Sequence, residues 1–154
     1  MSNGDPRRVP ITQGKIMRLM QLVLAVLCVA AFAALPGQVQ ARSAPLVDPD
    51  PVAIPAGMDS AKVVKDIKRA LLGRGWAVTG EQPGQIDSTL NLRTHVARIR
   101  VTYTDKQVRF AYVDSTDLDY KLKGGKPYIH KNYLGWMAYL TSDLSTNLQL
   151  SSQD

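Results

Sequence analysis

Two histidines and a spaced set of aspartates are the residues of this chain whose types suit chemistry. His95 and His130 are its only imidazoles. With Asp114 they could share a zinc ion or serve a small hydrolase, because a bound metal needs nitrogen and oxygen ligands converging on one point. An isolated histidine more often hydrogen-bonds the backbone, and that reading competes with the first. Asp114, Asp117 and Asp119 place oxygen ligands at the short intervals that wrap a hard cation. The EF-hand pattern also needs a glycine and a closing glutamate at fixed offsets. Neither is present, and Lys121 and Lys123 follow at once. Segment 114–131 therefore reads as a solvated loop with side-chain-capped turns. No nucleophile elbow or phosphate loop occurs, and Ser88 and Ser115 have no identifiable base. The expectation is no catalytic residue, no metal and no cofactor, with an enzyme built on His95, His130 and Asp114 as the alternative.

A second constellation suits binding. All six tyrosines lie between positions 103 and 139. Tyr103, Tyr112 and Tyr133 fall on apolar stripes with Trp136, where an aromatic ring packs while a hydroxyl reaches the rim. Tyr120, Tyr128 and Tyr139 remain. Tyr120 and Tyr128, with Lys121, Lys123, Lys126, His130 and Lys131, make a basic–aromatic surface for an anionic partner, either an envelope protein or a cell-wall component.

The elements that must position these residues follow from periodicity. Val63, Val64, Ile67, Ala70 and Leu71 share one helical face over Ser60–Leu72, capped by Asp59 or Ser60 and stopped by Gly73 and Gly75. Four alternating segments come next. Trp76–Thr79 is the first. Ile86, Ser88, Leu90 and Leu92 form the inward set of the second, and His95, Ala97, Ile99, Val101 and Tyr103 that of the third. Val108, Phe110 and Tyr112 belong to the fourth. Short connections make these an antiparallel meander. Arg98, Arg100 and Arg109 fall on the other face. A second helix spans Tyr133–Leu148 with Asn132 as cap. One apolar sheet face must be covered, and these helices are the only candidates. The fold is therefore α+β, with a four-stranded antiparallel meander and two helices packed on one face, in the order α-β-β-β-β-α. Exposed sheet edges offer a partner strand a place to pair.

Residues 1–41 set the compartment. Leu19–Leu35 is an apolar run of 17 residues broken only by Gln21, preceded by Lys15 and Arg18, and followed by Val39 and Ala41. That is the layout of a cleaved secretory signal, with Met17 as an alternative start. As a retained anchor the run is short, since crossing ~30 Å of hydrocarbon takes about 17–25 residues. A membrane role is expected only through an uncleaved segment. Residues 42–57 carry four prolines and read as a flexible lead-in to a domain at 58–150. Beyond Ala41, 15 Lys and Arg stand against 12 Asp and Glu, a net +3, half of the whole-chain +6. So small an excess gives no dense basic face for nucleic acid. The lone cysteine, Cys28, lies inside the apolar run, so disulfides and thiolate sites are excluded beyond it.

Several short patterns occur in order: Arg74-Gly75-Trp76, Ile86-x-x-x-Leu90-Asn91-Leu92-Arg93 with His95, Tyr112-x-Asp114-Ser115, Leu118-x-Tyr120 and Ile129-His130-x-Asn132-Tyr133-x-x-Trp136. In this the chain resembles a family of small uncharacterised proteobacterial envelope proteins, often lipoproteins. The resemblance implies a periplasmic location and supplies no activity and no assigned site. The chain departs from that family in lacking a lipobox.

Overall fold

The computed structural model describes residues 42–153. The apolar run and the expected cleavage site lie outside them. The described part is α+β, with two helices and two antiparallel sheets. In chain order the elements are β1 (Ser43–Pro45), β2 (Val52–Ala53), α1 (Ser60–Gly73), β3 (Trp76–Gln82), β4 (Gln85–Leu92), β5 (His95–Tyr103), β6 (Gln107–Thr116), β7 (Lys121–Lys123), β8 (Lys126–His130) and α2 (Lys131–Ser151). Among the described residues no helix is long and apolar enough to cross a membrane.

The expected meander is present as β3–β6, each strand bonded to its sequence neighbour. The sheet nevertheless has five strands, in the order β2-β6-β5-β4-β3. The extra strand comes from the proline-rich segment expected to be a loose lead-in. Val52 pairs with Val108, Val52 and Ile54 enter the core, and the Ile54 amide donates to the Lys106 carbonyl at 2.8 Å. Pro51 and Pro55 flank its apolar stretch Val52–Ile54, and proline is tolerated at a sheet edge where no ladder amide is required. The segment is thus an edge and not a tether.

Alternation places Ile86, Ser88 and Leu90 of β4, Ala97, Ile99 and Val101 of β5, and Val108 and Phe110 of β6 inside. Against them pack Val63, Ile67, Ala70 and Leu71 of α1 and Tyr133, Met137, Leu140, Leu144 and Leu148 of α2. Burial of this apolar surface is the main force holding the layers together. Ser88 is the polar member of the inward set, and its hydroxyl satisfies itself by donating to the Ala77 carbonyl at 2.8 Å. Leu92, expected inside, is 44% exposed at the last position of β4, next to its turn. Trp76 is fully buried, whereas Trp136 is only partly buried at the edge of the core.

Two bulges shape the outer face. Arg98 opposes Asp114 and Ile99 opposes Tyr112, leaving Val113 as the extra residue; Thr79 is the extra residue of β3. A bulge bends its strand and sharpens the local twist.

Both helices carry side-chain caps. Asp59 caps α1 by accepting from the Ala61 amide, as expected. The second helix begins at Lys131, two residues before the expected start, and its cap is His130 in place of Asn132. β8 runs straight into α2, and the His130 ring accepts from the Asn132 amide at 3.2 Å.

Segment 114–131 is the largest departure. It was expected as a loop, but β6 runs on to Thr116. Lys121–Lys123 and Lys126–His130 then form a hairpin that β1 completes as a second sheet, in the order β1-β8-β7. Gly124 and Gly125 supply the turn with φ of 55° and 77°. Two consecutive left-handed residues are the requirement of the type I′ turn, which glycine meets without strain.

Candidate functional site

The second sheet gathers most of the candidate binding residues, and its register shows how. Lys121 opposes Tyr128 and Lys123 opposes Lys126. Directly opposed residues project from the same face, and residues two apart along a strand do so as well. Lys121, Lys123, Lys126, Tyr128 and His130 therefore share one face of the small sheet, beside Ser43 and Pro45 of β1. The Lys123 ammonium sits 4.6 Å from the centre of the Tyr128 ring, a cation–π contact across the hairpin diagonal. Leu122, Pro127, Ile129 and Ala44 take the other face, of which Ile129 is fully buried.

Two expected members are not part of this face. Tyr120 lies flat on Tyr112, with ring centres 5.4 Å apart and planes 11° apart, though it keeps 47% exposure. Tyr112 in turn meets Tyr133 edge-on at 5.5 Å, so Tyr120 extends a packed aromatic row. Lys131 is exposed and opens α2, where its backbone amide donates to the Arg42 carbonyl at 2.9 Å. Tyr139 belongs to a separate cluster, under the Arg74 guanidinium at 4.8 Å.

Charge distinguishes this face from the open face of the five-stranded sheet. There Arg100 grips Asp87 through two bonds of 2.8 and 3.1 Å, and Arg98 pairs with Asp114. With its amide oriented to suit, the Gln107 oxygen accepts from Arg109 at 2.9–3.0 Å. The three arginines are thereby engaged. Among the described residues, none of the ion pairs involves Lys121, Lys123, Lys126 or Lys131.

The histidines do come together, with ring centres 6.4 Å apart and planes 28° apart. Each spends one nitrogen on the backbone. His95 Nδ1 is 2.6 Å from the Asp117 carbonyl, to which it must donate, and His130 Nδ1 accepts the capping bond. Asp114 is held by Arg98. Among the described residues no three His, Cys, Asp or Glu side chains gather to hold a metal ion. The Asp117–Asp119 stretch is a tight corner: both aspartates are left-handed, with φ of 55° and 51°, and Leu118 between them is 1% exposed. Aspartate tolerates that conformation better than most residues. The Leu118 carbonyl accepts from the His130 amide at 2.7 Å, tying the corner to β8.

One link escaped the reading of residue types. Asp48, in the proline-rich segment, accepts from the Tyr112 amide at 2.9 Å and so joins that segment to β6. Nothing in the local pattern marks it, since the two residues lie far apart in the chain. Comparison of the chain with models of known protein families, with curated proteins and with solved structures returns no match. The functional reading therefore rests on the geometry of the chain itself.

Proposed function

We propose that this protein is an exported interaction module of the cell envelope whose working surface is the lysine face of the small sheet. The observation that carries the reading is that Lys121, Lys123 and Lys126 project together with Tyr128 and have no carboxylate partner among the described residues. Clustered cations repel one another, and an anionic partner relieves that repulsion and is steered toward it. The aromatic ring adds contact area at small entropic cost. The basic start and apolar run at 15–35 support export to the periplasm, where an acidic envelope protein or cell-wall component would be met. The triple variant Lys121→Glu, Lys123→Glu, Lys126→Glu is expected to abolish cross-linking to that partner in intact cells, while Arg109→Glu on the other sheet leaves it in place. Unchanged capture by the triple variant would refute the proposal.

The alternative is a small hydrolase or metal-dependent enzyme, and it draws on the contact between His95 and His130. Stoichiometric zinc in protein purified from cells would favour it. Engagement of Asp114 by Arg98 and of both Nδ1 atoms by the backbone weighs against it.

A further inference from the structure

Resting on that reading of the lysine face, we propose that its partner is an extended protein segment of acid–apolar–acid sequence, which adds to the small sheet as a strand beside β7. The small sheet has two edges, and they differ. On β1, the bonds from the Leu46 amide to Pro127 and from the Lys131 amide to Arg42 show that Arg42, Ala44 and Leu46 turn their backbone groups toward β8. Ser43 and Pro45 therefore turn theirs outward, and Pro45 has no N–H to offer. That edge is blunted.

On the other side, the even-numbered residues of β8 face β7. Lys126 and Tyr128 accordingly exchange bonds with Lys123 and Lys121, and the Leu122 N–H and C=O point away from the hairpin. The Leu122 side chain is itself 64% exposed. The larger sheet offers less. β2 has two residues, and β3 carries a bulge and places Glu81 against Lys68 at 2.7 Å. Bulges and short strands are the usual means of closing an edge.

Lysines on an edge strand also discourage pairing with a second copy, since β7 beside β7 sets lysine against lysine. The same charges select among other strands. A segment pairing antiparallel across Leu122 would exchange two backbone bonds with it and rest an apolar side chain alongside. Its two flanking residues would project on the lysine face, opposite Lys121 and Lys123, where acids are matched. A simple polyanion would use the lysines and leave Leu122 untouched.

Protein purified from cells should be titrated by fluorescence anisotropy with a short labelled peptide centred on Glu-Val-Glu. Three comparisons decide the outcome: the same peptide N-methylated at the valine, the same composition ordered Val-Glu-Glu, and inorganic polyphosphate. The expected result is binding of the first peptide with slowed exchange of the Leu122 amide. N-methylation, reordering, or Lys121→Glu with Lys123→Glu should each cost about tenfold or more in affinity. A far-ultraviolet spectrum and melting curve of the lysine variant show whether it is folded, and Lys121→Gln with Lys123→Gln should give an intermediate loss. Equal binding of the N-methylated peptide, or polyphosphate binding with no Glu-Val-Glu binding, overturns strand pairing while the anion-binding face stands. If neither peptide nor polyphosphate binds, the lysine face itself falls as the working surface.

Discussion

Asp66 is the one charged residue that is fully buried among the described residues. It lies on the buried stripe of α1 and is fully inaccessible, yet it has one side-chain partner, Arg69, whose Nη1 donates to Oδ1 at 3.1 Å. Its Oδ2 has none. The facing helix contributes Asn147, but that side chain donates to the backbone carbonyl of Asp66 at 3.3 Å. Taking a carboxylate out of water costs several kcal/mol, and a single half-exposed arginine offsets only part of it. The two ends of the pair should therefore respond with opposite signs. Asp66→Leu removes the buried charge and leaves Arg69 free to be hydrated, so unfolding in urea should show no loss of stability, or a gain of about 1 kcal/mol. Arg69→Ala strands the carboxylate and should cost about 1–3 kcal/mol. Equal losses from both would show that the pair is worth more than the desolvation it requires.

At the scale of elements, the β7–β8 hairpin depends on its turn. A side chain at Gly124 or Gly125 would meet no atom within 4 Å, so substitution there acts through backbone conformation alone. Alanine at either position should cost about 1–2 kcal/mol, the strain of a left-handed L-residue. The cost falls on the hairpin, so exchange of the Tyr128 amide should quicken roughly tenfold per substitution while the protected amides of β5 barely change. An equal change in both would mean that the two sheets unfold as one unit. The two sheets also differ in how plainly the chain encodes them. Helix α1 and strands β3–β6 were legible because amphipathic period and short turns are local signals. The small sheet was not. β1 pairs with β8 across most of the described chain, and three-residue strands carry too little alternation to register. The Gly124-Gly125 pair between Lys-Leu-Lys and Lys-Pro-Tyr was the available clue. Recognised as a type I′ turn, it would have placed Lys121, Lys123, Lys126 and Tyr128 on one face and Tyr120 off it.

Across the whole described part, two bidentate ion pairs tie separate elements together, and they set an acid limit. Asp87 on β4 is held by Arg100 on β5, and Asp143 on α2 by Arg74 just beyond α1, the latter at 2.6 and 2.9 Å. In each case hydrogen bonding to the guanidinium holds the carboxyl below its ordinary 3.8. The folded chain thus favours the ionised form more than the unfolded chain does, so it binds fewer protons. The stability this supplies is complete above about pH 4 and is lost as pH falls through the lower folded values. Both carboxylates lie near the surface, so water and salt screen the pairs and the effect is small. The double variant Asp87→Asn, Asp143→Asn should be less stable than the parent at neutral pH. It should then lose less on acidification, so the two stability curves draw together toward pH ~2, and added salt should narrow the neutral-pH gap. Denaturant unfolding across that range checks this. Parallel curves would mean that other carboxylates govern the acid limit, with these two pairs serving only to orient the arginines. That would leave the contrast between the sheets unchanged, because Arg100 remains engaged while Lys121, Lys123 and Lys126 still have no carboxylate partner among the described residues.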